Sequence, residues 1–381
     1  MSDKFEIPFV FGVRVECEQF TDRVEETARL HQNFLYGINT ILISPRRMGK
    51  TSLVDKVCGL VASDKIKIVR IDVFGCRSEQ DFINAFVTAV VQATSNKLDE
   101  WIENAKIFLS RFVPKMSFGP DPFTDFSISL EYSSQPDTLE KALQLPEVIA
   151  EEKGIKIVVC IDEFQQIGEF KDSITFQKRM RSVWQLQRNV SYCLYGSKKH
   201  LMEKMFQKKN YPFYRFGDFF YLDKISEEDW IGFICERFKS TGKSITETQA
   251  KTICNVTDRY SSYVQQLAWF VWLKSGAEVA DSDVDFAINK LLDSNEQLFI
   301  QQTEELSAYQ MNFLKAIISG VKTGFMQSGI LTKYNLGTAA NVTRLKKSLI
   351  TKDLITVTSP GCVDFSDPIL ALWLKRRVFK I

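Results

Sequence analysis

Histidine is almost absent from this chain: His31 and His200 are the only two in 381 residues. Eight cysteines are present, but they stand singly and never as C-x-x-C. That pattern argues against a structural zinc site and against a histidine-activated nucleophile; reduced, mostly buried thiols in a cytoplasmic protein are the expectation. Net charge is lacking as well. Lys and Arg number 49 against 47 Asp and Glu, a formal +2, so any nucleic-acid surface has to be local. Long apolar runs are missing: the longest, Leu267 to Leu273, falls far short of the roughly 20 residues a membrane span needs, and the opening MSDKFEIPF is too polar for a signal peptide. No membrane association is expected. What the chain does have is 45% hydrophobic residues, enough to bury a core over two or three domains.

The first informative stretch is ILISPRRMGKTSL, Ile41 to Leu53. It nearly matches G-x-x-x-x-G-K-[ST], with Ser44 in place of the first glycine. Thr40 to Ile43 reads as a short strand, and Leu53, Val54, Val57, Leu60 and Val61 as the apolar face of the following helix. A strand, a loop and a helix N-terminus in that order form a phosphate cradle. Backbone N–H groups and the Lys50 ammonium do the holding, so a small residue at position 44 is tolerated while Gly49 is the harder one to replace. Pro45, whose missing N–H need not contribute, Arg46, Arg47, Met48, Gly49, Lys50, Thr51 and Ser52 are the expected nucleotide contacts. A second G-K-S at Gly242 to Ser244 follows the polar helical segment ERFKST rather than a strand, and Thr246 with Gln249 reads as a capping box; it is not a phosphate loop.

The second informative stretch is GIKIVVCIDEF, Gly154 to Phe164, a buried parallel strand ending in two carboxylates. At the sheet edge where ligands of open α/β sheets collect, Asp162 would hold Mg²⁺ through its waters together with the Thr51 hydroxyl, and Glu163 would orient or deprotonate a water. Lys67 to Phe74, Val190 to Tyr195 and Asp218 to Leu222 complete a five-stranded, parallel, doubly wound α/β sheet. Between about residues 98 and 139 the rhythm breaks into a turn-rich insertion, in which FSISLEY suggests a short exposed hairpin.

From Ser226 the pattern is helical only, opening with Trp230, Phe233, Ile234 and Phe238 behind a Ser226/Asp229 cap. Trp269 and Trp272 read as core. The last stretch reads as three helices, the first capped by Ser307 and Gln310, and a hairpin turning at Ser359-Pro360-Gly361, a winged helix-turn-helix. Its third helix has Val342, Leu345, Leu349 and Ile350 inward and Arg344, Lys346 and Lys347 as its cations, in a segment (330–381) with nine Lys and Arg against three Asp and Glu. The expected domains are an NTPase core over 1–225, a helical lid over 226–305 and a winged helix over 306–381.

In combination these features resemble the archaeal-type ATPase family, AAA+/STAND-like P-loop NTPases that also have bacterial members. The resemblance spans nearly the whole chain. It rests on FTDRVEE (Phe20 to Glu26), SPRRMGKTSL, VVCIDEFQQI, LYGS ending in Ser197, FYRF around Arg215, and the late F-x-D-P-x-x-x-x-W within VDFSDPILALWLKRR. It implies ATP and Mg²⁺ as ligands, Phe20 and Arg23 at the adenine pocket, Lys50 and Thr51 at phosphate and metal, and Asp162 and Glu163 as the Walker B pair. Ser197 falls where sensor 1 reads the γ-phosphate, and Arg215 where a finger reaches a neighbouring subunit. The family's Gly-Gly-x-Pro turn is replaced by DRYSSYVQQLA, with Arg259 as the candidate for sensor 2. The expected activity is a slow, Mg²⁺-dependent ATPase acting as a switch for the winged helix. The alternative is a DNA-binding regulator or protein-interaction module whose core is mainly a sensor; its partner is duplex DNA through Arg344, Lys346 and Lys347, a nucleotide-dependent second copy, or another protein.

Overall fold

Strands written as aliphatic runs need cover on both faces, and the chain supplies helices between them. The structure is a computed structural model describing residues 7–13, 21–95, 116–119, 127–130, 136–359 and 361–381. Its strands are β1 (Thr40–Ile43), β2 (Ile66–Asp72), β3 (Met116–Gly119), β4 (Ser127–Leu130), β5 (Lys156–Asp162), β6 (Val190–Gly196) and β7 (Asp218–Tyr221). The helices among them are α1 (Val24–Tyr36), α2 (Lys50–Val61), α3 (Glu79–Thr94), α4 (Pro136–Lys153), α5 (Ser173–Trp184) and α6 (Lys199–Gln207). Five strands form one parallel sheet in the order β2-β5-β6-β1-β7. Residues 23–223 make one compact unit.

Strand alternation sorts the side chains of β5. Ile157, Val159 and Ile161 enter an aromatic core with Phe82, Phe86, Phe176 and Trp184, where Trp184 stacks on Tyr192 at 3.9 Å. Cys160, on the opposite face, meets Cys58 of α2 with the sulfurs 3.6 Å apart. Asp162 shares the parity of Cys160 and therefore points toward the helix that follows the loop. On that helix Leu53, Val54, Val57 and Val61 are buried as expected, but Leu60 is 57% exposed and Cys58 takes the inward place. Ser78 caps α3 by accepting the N–H of Asp81.

The insertion does contain a hairpin, though FSISLEY supplies only one strand of it: β4 pairs antiparallel with β3. The exposure of that hairpin lies outside the described side chains. At the other edge, Asn39 joins three strands. Its side-chain carbonyl accepts the Tyr192 N–H at 2.9 Å and its main-chain carbonyl accepts the Asp218 N–H at 2.7 Å. Asp218 is held by Arg29 and by Asn33 of α1; hydrogen bonding from Arg29, opposed by partial burial, keeps its carboxyl below the usual aspartate range.

The second compact unit comprises residues 1–22 and 224–381. Its elements are α7 (Glu227–Ser240), α8 (Glu247–Val256), α9 (Ser261–Lys274), α10 (Asp281–Thr303), α11 (Ala308–Ile318), α12 (Ser328–Lys333), α13 (Ala339–Thr351), β8 (Ile355–Ser359), β9 (Cys362–Phe365) and α14 (Pro368–Trp373). Each expected cap is formed. Ser226 accepts from Asp229 N–H, and Thr246 with Gln249 and Ser307 with Gln310 make full capping boxes. Phe9 of the N-terminal segment packs on Phe233 and Phe238, and the Val10 N–H donates to Gln265. Within α13 Val342, Leu345 and Leu349 are buried, while Ile350 is only half-buried. Trp269 and Trp272 are half-buried as well, stacked on each other at 5.2 Å rather than enclosed in the core.

Gly217 enters β7 so close to Asn39 that an added Cβ would stand 2.1 Å from the Asn39 carbonyl oxygen. Gly232, exposed on α7, has nothing within 4 Å. Gly217→Ala should therefore destabilise the protein by about 1–3 kcal/mol or more, whereas Gly232→Ala should stabilise it by up to about 1 kcal/mol. Urea denaturation of the two variants beside the parent chain checks both signs.

Candidate functional site

Register brings the C-terminal ends of β5, β6 and β1 to one edge of the sheet, with Cys160 opposite Cys193 and Ile43 opposite Gly196. The loop after β1, the carboxylates after β5 and the serine after β6 consequently share a site. Ser44 is fully buried in the loop; its N–H reaches the Gly196 carbonyl at 3.4 Å and its hydroxyl donates to the Pro45 carbonyl at 3.0 Å. Pro45, Arg46 and Arg47 are exposed and Met48 is buried. The loop turns through left-handed backbone at Arg47 (φ 67°) and Gly49 (φ 83°) before α2 begins at Lys50. Gly49 stands at the N-cap of α2 with no side chain to cap it, so the first N–H groups of the helix face the loop's interior. Glycine is required there by conformation, since an added Cβ would meet no neighbour.

Lys50, only 7% exposed, lies 3.6 Å from Asp162 Oδ1 and 3.7 Å from Glu163 Oε1. Its ammonium is also 5.8 Å from the centre of the Tyr195 ring. Thr51 Oγ1 donates to Asp162 Oδ2 at 2.9 Å, and the Glu163 N–H donates to Asp162 Oδ1 at 2.8 Å. Glu163 itself has φ 51° at the head of a 3₁₀ turn, Phe164–Glu169. Its Oε2 accepts from Ser197 Oγ at 2.8 Å, from the Ser197 N–H at 3.4 Å and from Gln165 Nε2. Arg46 Nε points at Ser197 Oγ from 3.5 Å. Arg23, buried and at φ 68°, donates to the Met48 carbonyl at 3.4 Å and pairs with Glu26 at 2.8 Å, which ties the head of α1 to the loop.

The two adjacent carboxyls are driven apart. Burial raises Asp162, Glu163's charge adds to the rise, and Lys50 and Thr51 only partly oppose it. For Glu163 burial also acts upward, but Lys50 and the hydrogen bonds from Gln165 and Ser197 outweigh it, and the carboxyl falls below the ordinary glutamate range. A hydroxyl and one carboxylate beside a lysine are the donors Mg²⁺ takes from a protein when phosphate and water complete its shell. Among the described residues no cluster of three or more His, Cys, Asp or Glu offers an all-protein metal cage.

Lys50, Thr51, Asp162, Glu163, Ser197, Arg46 and, through Met48, Arg23 are thus brought together. Phe20 lies outside the described residues. Arg215 stands apart from this cluster: at φ 54°, exposed, its guanidinium lies 5.4 Å from the Tyr214 ring, beside a cavity of about 290 Å³ lined by Phe206, Phe216 and Phe219. Gln165 was not singled out in the sequence, and its place two residues after Glu163 carries no signal without the turn that folds it back. The second G-K-S has a structural explanation, because Lys243 caps the C-terminus of α9 by donating to the carbonyls of Trp272 and Ser275.

Known proteins share the fold that carries this site. A family model described as a probable winged helix domain matches residues 297–376. A Walker-type ATPase of Pyrococcus abyssi superposes with a TM-score of 0.69 at 17% identity, covering 97% of this chain and all of that one. The chain shares the fold of that Walker-type ATPase, a parallel α/β sheet followed by helices, and ends in a winged helix. The ORC2 protein of Aeropyrum pernix, in ADPNP–ADP complexes, superposes with a TM-score of 0.57 at 13% identity, covering 93% of this chain and 94% of that one. No curated protein matches the chain at a significant level. No helix among the described residues is long and apolar enough to cross a membrane.

Lys50 lowers the pKa of both carboxyls, so Lys50→Met should raise both. A carboxyl whose folded pKa lies above its unfolded value binds protons more readily in the native state; its contribution to stability is lost as pH rises and returns on acidification. The variant should be less stable than the parent chain at pH 7, with a smaller deficit at pH 5. Urea denaturation of the nucleotide-free proteins at the two pH values measures it.

Proposed function

We propose that this protein is a Mg²⁺-dependent ATPase that works as a nucleotide-controlled switch, with the winged helix as its output. The observation that carries the reading is the near-burial of Lys50 between Asp162 and Glu163 at the mouth of a loop ending in a helix N-terminus. An ammonium so placed exchanges carboxylate partners for the β- and γ-phosphates, and backbone N–H groups at the N-terminus of α2 hold the remaining phosphate oxygens. Thr51 and Asp162 would hold Mg²⁺, which when bound neutralises charge on the transferred phosphoryl group. Glu163, kept ionised by its surroundings, accepts a proton from water as the water oxygen bonds to the γ-phosphorus and the bond to the β,γ-bridging oxygen breaks. Ser197 and Arg46, in contact with each other, face the γ-phosphate position and register its loss. Arg23 shapes the nucleotide side of the loop through Met48.

Lys50→Ala should abolish binding of fluorescent ATP. Glu163→Gln should keep that binding while steady-state turnover falls roughly 100-fold or more, and excess EDTA should stop turnover of the parent chain. Undiminished hydrolysis by both variants would remove the assignment.

A second reading, in which the protein is a DNA-binding regulator, is favoured by Arg344 and Lys347, both exposed on α13 within the matched winged-helix segment, with Lys346 half-buried beside them. On that reading, duplex affinity measured by fluorescence anisotropy should fall steeply between 50 and 200 mM salt. Replacing Arg344, Lys346 and Lys347 with alanine should flatten that dependence. Absence of binding at low salt would leave the winged helix as a protein-contact module.

A further inference from the structure

We propose that Gln165 is a positioning residue for Glu163, fixing which carboxylate oxygen is presented to the reacting water. The proposal rests on the reading of Glu163 as the general base. Gln165 is only 2% exposed, and its Nε2 donates to Glu163 Oε2. The Ser197 hydroxyl and N–H end on the same oxygen. Three donors converging on Oε2 stop the carboxylate from rotating, and Oε1 alone is left on the Lys50 side, 3.7 Å from the ammonium. The backbone reinforces the constraint, because Glu163 is held at φ 51°, a conformation a β-carbon disfavours.

The orientation of the amide follows from its surroundings. Among the described residues the buried Gln165 Oε1 has no hydrogen-bond partner, so the opposite flip would set that oxygen against a carboxylate and gain nothing. Room for the amide is made by Gly196, the last residue of β6. A Cβ there would stand 1.9 Å from Gln165 Oε1 and 2.9 Å from Met202 Sδ. Gly196 is therefore the complement of Gln165: one glycine beneath the sensor serine leaves the space in which a glutamine can reach the acid. The hydrogen bond also favours the ionised carboxylate, and it is one of the influences that hold Glu163 below the usual glutamate range.

Two variants approach the same contact from opposite sides. Gln165→Leu keeps most of the buried volume and removes the donor; Gly196→Ala keeps the donor and pushes the amide away. The measurement is the split between kcat and KM for ATP, with binding of fluorescent ATP beside it. In both variants kcat should fall about tenfold or more, while KM and the affinity for fluorescent ATP should stay within about twofold, because Lys50 and the loop are untouched. Gly196→Ala introduced into a Gln165→Ala background should lower kcat no further, the obstructing amide being gone. If Gln165→Leu does not fold, Gly196→Ala and the double variant carry the test. Parental kcat in the folded variants, or a KM that rises in step with the loss of kcat, would overturn the role of Gln165, whereas parental turnover by Glu163→Gln would overturn the reading of the base.

Discussion

A lysine ammonium almost shut away from water must have negative charge beside it, and most of this site follows from meeting that need for Lys50. Unpaired, such a charge would be strongly destabilising. The first turn of α2 carries the lysine, and the end of β5 carries the two carboxylates, at 3.6 and 3.7 Å. For those elements to meet, the loop after β1 must reverse within a few residues, and it does so through left-handed backbone at Arg47 and Gly49. The buried serine at the start of the loop satisfies its hydroxyl on the next carbonyl and its N–H on β6. A side chain this small leaves the path of the loop unobstructed, which is why the departure from the usual glycine does not disturb it.

The same cation acts on two neighbouring acids with different outcomes. Asp162 is more deeply placed against α2, and burial wins; Glu163 gathers donors on one oxygen, and they win. Environments that separate the protonation of adjacent carboxyls are the usual means of giving them different work. Here the separation arises from strand alternation and one glycine. Asp162 follows Cys160 onto the α2 face, while Glu163, turned by its positive φ, is carried toward Ser197 and Gln165.

Two phrases in the chain look alike to a motif search and differ in kind. Both G-K-[ST] copies place a lysine at a helix end, yet Lys50 stands at an N-terminus that no side chain caps, and Lys243 reaches a C-terminus and donates to its carbonyls. The first end attracts anions and the second attracts the lysine itself. The late F-x-D-P-x-x-x-x-W phrase is structural within its unit: Asp367 caps α14 and accepts the Tyr263 hydroxyl, while Trp373 packs on Phe299 and donates to Glu296.

Whatever depends on local periodicity and local backbone chemistry could be read from the chain. The five strands, the phosphate-loop context, the capping boxes at Thr246 and Ser307 and the hairpin of the winged helix are all of that kind, because each is decided within about ten residues. Leu60 escaped because periodicity fixes a face only to within a residue, and Cys58 packs there instead. The β3 strand escaped because MSFG has no turn of its own; only its partner strand gives it a register. The site residues were visible as types, but the role of Gln165, the space left by Gly196 and the separation of Arg215 from the acidic pair were decided by tertiary structure alone. Sequence determines which groups a chain owns and how each turn begins. Which oxygen a donor reaches depends on strands dozens of residues apart lying side by side, and that is fixed only when the sheet closes its register.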